Sequence, residues 1–287
     1  MNIFKSMFIS MYMMAAMAIT LIAGWSLWST GDYISWGGVL LVTAPFMTVI
    51  SWLMMFTNVA RTSAHFPLLN ALAMVGVGLA SWGYFQGASI NAPILALVGW
   101  IGFVAYAYWY SSFDRRPSDQ LKIGQTLPAF DVKDAAGRSI SSASLLDKPT
   151  IWIFYRGNWC PLCMAQIKEL VSQYKQLQAL GVRVVLISPQ PHKNTMGLAE
   201  KFDVSFDFLT DEGNRAGRKL GIENPHGLPM GMQMIGYDSE TVLPTVIITD
   251  AGGRILWAYE TDNYRIRPEP DVYLAVLREQ RVVGEAA

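Results

Sequence analysis

Cysteine is almost absent. The chain of 287 residues has two, Cys160 and Cys163, spaced as C-x-x-C. Two cysteines do not make a disulfide framework. With no third or fourth nearby, they do not make a structural zinc site either. Met164 follows the second one, so the C-x-x-C-H pattern of haem attachment is missing. Charge is also scarce, but only in one half. Residues 1–113 hold three charged side chains, Lys5, Asp32 and Arg61, and the other 41 of the 44 lie from Asp114 onward. The net charge is zero, which removes any electrostatic case for a nucleic-acid partner. There is no Gly-rich phosphate loop and no Ser-His-Asp arrangement. His192 and His226 read as surface loop residues rather than bases.

A water-soluble domain carries roughly a quarter charged residues. Residues 1–113 therefore read as a lipid-solvated, all-α domain. Four apolar segments are expected as transmembrane helices, at about 7–28, 34–56, 67–85 and 92–110. Each is long enough at about 1.5 Å per residue to cross a hydrocarbon core. Trp25, Trp28, Tyr33 and Trp36 flank the first loop, and Tyr106, Tyr108, Trp109 and Tyr110 mark the last exit, as an interfacial belt requires. Pro45 and Gly76, Gly78 and Gly83 are tolerated in membrane helices. The first apolar run is too long for a signal-peptide h-region, and three more come after it. Lys5, Arg61 and the Arg115, Arg116 and Lys122 group fall on one side of a four-span arrangement. That places both termini and the C-terminal domain on the cytoplasmic side of a cell membrane. The spans hold no Cys and no Asp, Glu or Lys beyond Lys5 at the entry, so neither a thiol relay nor an ion path is built into them. Their plainest role is an anchor. A quinone or lipid site between the helices is the alternative, and nothing selects it.

Residues 114–125 are polar, with Pro117 and Gly124, and read as a linker to a domain over 126–287. In that domain a hairpin is expected within 127–140, then strands at 150–155, 182–188 and 206–209. Helices are expected at 161–180, 194–202 and 214–220. A hairpin of 245–249 with 255–259 and a helix at 270–278 close the order. Strand-helix alternation ending in a hairpin and a helix predicts a central mixed sheet flanked by helices. The stretch 221–241 is long, irregular and Gly-rich, and reads as either a lid, a partner surface or a tolerated insertion.

The two cysteines fall where the 150–155 strand gives way to the 161–180 helix. A helix N-terminus offers unpaired N–H groups and a positive dipole end, which acidify a thiol. Pro161 suits the first helical position, leaving Cys160 at the helix mouth and Cys163 one turn in on the same face. The first can attack and the second can resolve a mixed disulfide. Arg156 is close enough to favour a thiolate or to sit solvated in the loop. Trp159 precedes the pair. Leu243-Pro244-Thr245 heads a strand about 80 residues later, and a cis bond at Pro244 would turn its backbone toward the dithiol.

With these residues in place, the C-terminal half resembles the AhpC/TSA (alkyl hydroperoxide reductase/thiol-specific antioxidant) redoxins, peroxiredoxin-like proteins of thioredoxin fold. The resemblance covers about 120–280 and rests on Phe154–Cys163, the strand 182–188, and Pro244 to Trp257. It implies a thioredoxin-like α/β fold and a thiol oxidoreductase. In thioredoxins the motif is similar to W-C-x-x-C, which makes Cys160 the attacker, and a cis-Pro stands where Pro244 is. In atypical peroxiredoxins the stretch is similar to F-Y-P-x-x-x-T-P-x-C. Over that pattern Phe154, Tyr155 and Pro161 match and the peroxidatic Cys falls on Cys163. The Pro of the pattern is replaced by Arg156, its Thr by Cys160, and the Arg expected before the late strand by Pro244.

These residues support three functions. The first is a membrane-anchored dithiol oxidoreductase in which Cys160 attacks an oxidised protein or other substrate, with Trp159, Pro161, Arg156, Pro244 and Thr245 in support. The second is a thiol peroxidase for hydrogen or lipid hydroperoxides. The third is a non-enzymatic redox sensor or assembly subunit. The first two need no bound cofactor, and both imply a cellular thiol reductant of thioredoxin or glutathione type.

Overall fold

The computed structural model describes residues 2–280. The chain divides into two compact units. One comprises Phe4–Thr57 and Thr62–Ser112; the other runs from Phe113 onward and takes in residues 2–3 and Asn58–Arg61.

The N-terminal unit is all helical: α1 (Asn2–Thr30), α2 (Tyr33–Phe56), α3 (Pro67–Phe85) and α4 (Asn91–Val104). The chain continues from α4 as one π-helical stretch, Ala105–Tyr110. α1, α2, α3 and the continuous helical run Asn91–Tyr110 are each long and apolar enough to cross a membrane. The Asp32 side chain caps α2 by accepting the Ser35 N–H at 2.9 Å. Small residues set the helix packing. A Cβ on Gly38 would lie 2.5 Å from the Gly76 carbonyl oxygen, so two backbones meet where only glycine fits. Thr20 Oγ1 donates to Thr43 Oγ1 at 2.9 Å, and the Tyr12 hydroxyl donates to the Gly99 carbonyl at 3.2 Å. Thr20, Thr43 and Tyr12 are thus satisfied inside the unit, while Met14, Leu21, Trp25 and Ile101 face outward.

The second unit is built on a seven-stranded mixed sheet. Its strands are β1 (Asp131–Lys133), β2 (Ser139–Ser141), β3 (Thr150–Phe154), β4 (Arg183–Ser188), β5 (Asp207–Thr210), β8 (Thr245–Thr249) and β9 (Ile255–Glu260), in the order β2-β1-β5-β4-β3-β8-β9. A separate pair, β6 (Glu223–Asn224) and β7 (Thr241–Val242), ties the ends of the irregular stretch together. β3 is fully buried and central, parallel to β4 and antiparallel to β8. Trp152 anchors the core against Phe130, Val185 and Ile247, and its indole N–H donates to Thr249 Oγ1 at 3.1 Å. The unit's helices are α5 (Pro161–Ser172), α6 (Tyr174–Ala179), α7 (His192–Phe202), α8 (Arg215–Lys219) and α9 (Pro270–Glu279). A central strand that runs into a helix, with a parallel strand on one side and an antiparallel hairpin on the other, is a thioredoxin-like α/β fold.

The structure corrects three expectations. The helix expected at 161–180 is two helices, because Gln173 (φ −103°, ψ 8°) leaves the helical region and starts a new turn. Residues 114–125 are not a free linker. The Arg115 side chain is only 2% exposed and pairs with Glu260 at 2.7 Å, and Ser118 and Leu121 are buried. The Leu243–Pro244 peptide is trans, as is every other among the described residues.

Candidate active site

β9 is parallel to β3, because both pair antiparallel with β8. Thr245 stands opposite Phe154 on one side and Glu260 on the other. The last residues of β3 and β9 therefore emerge at the same edge of the sheet. β3 leads into the dithiol loop, and β9 leads into Arg265-Ile266-Arg267-Pro268. The topology brings Arg267 to Cys163 although about a hundred positions separate them.

The loop from β3 is tightly held. Tyr155 N–H donates to the Ile187 carbonyl at 3.0 Å, extending the sheet by one bond. Gly157 takes φ +140° and packs against the Trp159 ring, where a Cβ would lie 2.7 Å from the indole. Gln190, at the end of β4, accepts the Asn158 N–H at 2.7 Å and donates to the Tyr155 hydroxyl at 3.0 Å. Cys160 is the N-cap of α5 and Pro161 its first residue; Cys160 Sγ accepts the Cys163 N–H at 3.4 Å. Both cysteines are free thiols, and both are buried, Cys160 at 2% and Cys163 at 0% exposure.

Two arginines bear on the sulfurs. Arg267, itself buried, donates through Nη2 to Cys163 Sγ at 3.3 Å and lies 3.9 Å from Cys160 Sγ. Its Nη1 donates to Gln166 Oε1 at 2.7 Å, and Gln166 Nε2 donates to the Tyr273 hydroxyl at 3.0 Å. The guanidinium is thus fixed from α5 and α9 at once. Arg156 is buried as well; its Nη2 donates to the Gly227 carbonyl at 2.8 Å, and its guanidinium stacks 4.6 Å from the Trp159 ring and 5.1 Å from that of Tyr264.

The consequence is one negative charge on two sulfurs. Burial pushes the Cys163 thiol up. It is outweighed by the hydrogen bond from Cys160, the Arg267 charge, the Arg156 backbone N–H and the Arg156 charge, which together hold Cys163 at about 5. Burial, donation to Cys163 and the Cys163 charge push Cys160 well above the ordinary thiol range, against the pull of both arginines. The helix-end N–H points at Cys160 and by itself would favour that sulfur. A single N–H at 3.4 Å is weaker than a guanidinium at 3.3 Å, so the thiolate belongs on Cys163.

Of the residues expected around the site, Cys160, Cys163, Trp159, Pro161 and Arg156 come together here. Pro244 and Thr245 lie at the same sheet edge but bond elsewhere. Arg115 Nη1 donates to the Pro244 carbonyl at 3.2 Å, and Arg115 Nη2 to Thr245 Oγ1 at 3.0 Å. Arg267, Gln166 and Gln190 are additions that the sequence motifs do not announce. The only sequence signal for the first is an R-x-R-P run just before the last helix, at the edge where a strand parallel to β3 would end.

An acidified cysteine at a strand-to-helix junction, with a second cysteine at the cap, defines a thiol-redox domain. Residues 123–258 match the sequence model of the AhpC/TSA family. The chain is 31% identical over 99 residues to chloroplastic peroxiredoxin Q of Sedum lineare, covering 34% of this chain and 53% of that protein. It is 27% identical over 144 residues to peroxiredoxin Q of Populus jackii, covering 47% and 68%. The Populus protein apart, the chain spans about half the length of the curated relatives it matches, such as those of Triticum aestivum and Gentiana triflora. Among solved structures, peroxidoxin BcpB of Mycobacterium tuberculosis aligns over 55% of this chain and 97% of its own, with a TM-score of 0.47 and 21% identity.

Proposed function

We propose that this chain is a thiol peroxidase held at a membrane by α1–α4. The observation that carries the reading is the placement of the Arg267 guanidinium on Cys163, with the Cys160 thiol adjacent and both sulfurs buried. A buried thiolate is reached by a molecule as small as a hydroperoxide with less opening of the site than a folded protein's disulfide requires.

The Cys163 thiolate attacks one oxygen of ROOH. The O–O bond breaks, sulfenic acid forms on Cys163, and ROH leaves with a proton from water. Arg267 and Arg156 face the charge that develops on the departing oxygen, where fixed cations in a dry site act most strongly. Cys160 then attacks the sulfenic sulfur. The S–S bond forms, the S–O bond breaks and water leaves. A cellular thiol reductant of thioredoxin or glutathione type supplies two electrons and two protons to restore both thiols. Cys160 stands where the atypical peroxiredoxin pattern has Thr, so in this reading one residue both lies beside the nucleophile and resolves it.

A second reading is thiol-disulfide exchange with Cys160 as attacker. Its support is the W-C-P-L-C run with Cys160 at the helix cap. Stopped-flow mixing of the reduced full chain in detergent with hydrogen peroxide and with a small aromatic disulfide separates the two. Faster reaction with the peroxide is expected; faster reaction with the disulfide would overturn the peroxidase reading.

We also place both termini and the redox domain on the cytoplasmic face, on the distribution of Lys5, Arg61, Arg115, Arg116 and Lys122. A C-terminal reporter that works only in the cytoplasm should be active; activity of a reporter that works only after export would sink the assignment.

A further inference from the structure

The stretch between β6 and β7 covers the dithiol loop. Its Gly227 carbonyl accepts from Arg156, and Thr241 Oγ1 donates to the Arg156 carbonyl at 2.8 Å. Its Tyr237 hydroxyl bonds the Asn158 side-chain oxygen and accepts from Asn194 Nδ2 at 3.0 Å. All but the Asn194 bond, which reaches α7, fall on the loop that leads to Cys160. The stretch is therefore a lid latched to the site.

The far end of the lid has the opposite character. Met232–Ile235 forms one turn of 3₁₀-helix bounded by Gly231 and Gly236, both with left-handed backbone (φ 100° and 92°). Met234 is 91% exposed and Ile235 62%. From Gly227 to Tyr237 the lid has no charged residue at all. In a domain that carries nearly all of the chain's charge, this is an uncharged apolar tip on a hinged turn.

Its occupant is given by the chain itself. The same polypeptide has four helices long and apolar enough to cross a membrane, so in the membrane-held reading this domain is joined to a bilayer through its own chain. The base of the lid is also bonded to the chain's N-terminus within the same unit. Asn2 Nδ2 donates to Asn224 Oδ1 at 2.9 Å and to the Pro225 carbonyl at 2.7 Å. Met and Ile with Gly and no charge suit the acyl boundary of a neutral phospholipid leaflet.

We propose that the Met234-Ile235 tip inserts into the bilayer, and that the enzyme's substrates are hydroperoxides carried on phospholipid acyl chains. Insertion draws the lid off Arg156 and Asn158 and opens the buried Cys163 to a chain rising from the same leaflet. The step at sulfur is that of the peroxidase cycle: sulfenic acid forms on Cys163, and the acyl hydroperoxide becomes an acyl alcohol. This inference rests on the peroxidase reading.

The test uses the full chain in phosphatidylcholine nanodiscs. Rates are measured with phosphatidylcholine hydroperoxide in the disc and with hydrogen peroxide added to the same sample. For the double variant Met234→Ser/Ile235→Ser, the lipid hydroperoxide rate is expected to fall at least about tenfold, since the two apolar side chains that would enter the leaflet are lost. The hydrogen peroxide rate should stay within about twofold of wild type, which also shows that the variant is folded. Equal loss of both rates, or no loss of either, would overturn the proposal. A wild-type chain that consumes hydrogen peroxide but not the lipid hydroperoxide would overturn it while leaving the peroxidase reading intact. A wild-type chain inert to both would remove that reading and this one together.

Discussion

Replacing Arg267 by Met removes the positive charge 3.3 Å from Cys163 Sγ while keeping much of the side-chain volume. At an effective dielectric of about 20–40, a charge pair at this distance is worth roughly 2.5–5 kcal/mol, or about 2–4 pH units on the thiol. The Cys163 thiol sits at about 5 in the intact site. In Arg267→Met it should rise to roughly 7–9 on this arithmetic. The sign is that of a group reactive only when deprotonated. The rate is low below its pKa, climbs through it and is flat above. The wild type should therefore already be on its plateau at neutral pH. The variant should be about 2- to 100-fold slower there and should recover toward wild type at alkaline pH. Arg267→Lys keeps the charge but loses the fork that grips both Cys163 and Gln166, and should fall between the two. The assay is the rate with hydrogen peroxide across pH, alongside ultraviolet titration of the thiolate in Cys160→Ser and Cys163→Ser backgrounds. An unmoved midpoint in Arg267→Met would refute the electrostatic argument. A midpoint that disappears in Cys160→Ser but survives in Cys163→Ser would show that the wrong sulfur was chosen.

Gln166→Leu leaves Arg267 charged but releases its Nη1 hydrogen bond, so the midpoint should rise by less, about 1 unit or under, in the same pH-rate profile. Trp152→Ala opens a cavity in the centre of the sheet at a fully buried position and should cost about 3–5 kcal/mol, read as a lowered midpoint in denaturant unfolding of the full chain in detergent. Gly38→Leu drives a side chain into the Gly76 backbone and should cost about 1–3 kcal/mol or more in the helical unit. Gly37→Leu, where nothing lies within 4 Å of the added Cβ, should leave the thermal melt in detergent unchanged.

Much of the fold is legible in the sequence because it rests on local pattern. Pro67 and the apolar run after it set α3, and Thr245–Thr249 reads as a buried strand ended by the Asp-Ala-Gly-Gly turn. The break at Gln173 is not legible, since no Gly or Pro marks it. Nor is the π-helical stretch Ala105–Tyr110, where the apolar pattern is that of any helix end. The 114–125 segment reads as a linker because its composition is polar. Its order comes from Arg115 meeting Glu260, a pairing no local window contains. The site divides in the same way. The C-x-x-C, Pro161 and Arg156 are near neighbours in the chain and can be read from it. Arg267 is not, because only the parallel placement of β3 and β9 delivers it to Cys163. In the peroxidase reading that distant cation favours Cys163, whereas the helix end alone makes Cys160 the attacker. The direct contacts of Pro244 and Thr245 are with Arg115 rather than with either sulfur.

The central claim is that Cys163 strikes first and Cys160 resolves. Mass spectrometry of the full chain with each cysteine replaced by Ser, after stoichiometric hydrogen peroxide and trapping of sulfenic acid, tests it most directly. A stable sulfenic acid on Cys163 in Cys160→Ser, with Cys160 left as a thiol in Cys163→Ser, is the predicted result. Sulfenic acid on Cys160 in Cys163→Ser, with Cys163 unmodified in Cys160→Ser, would contradict it.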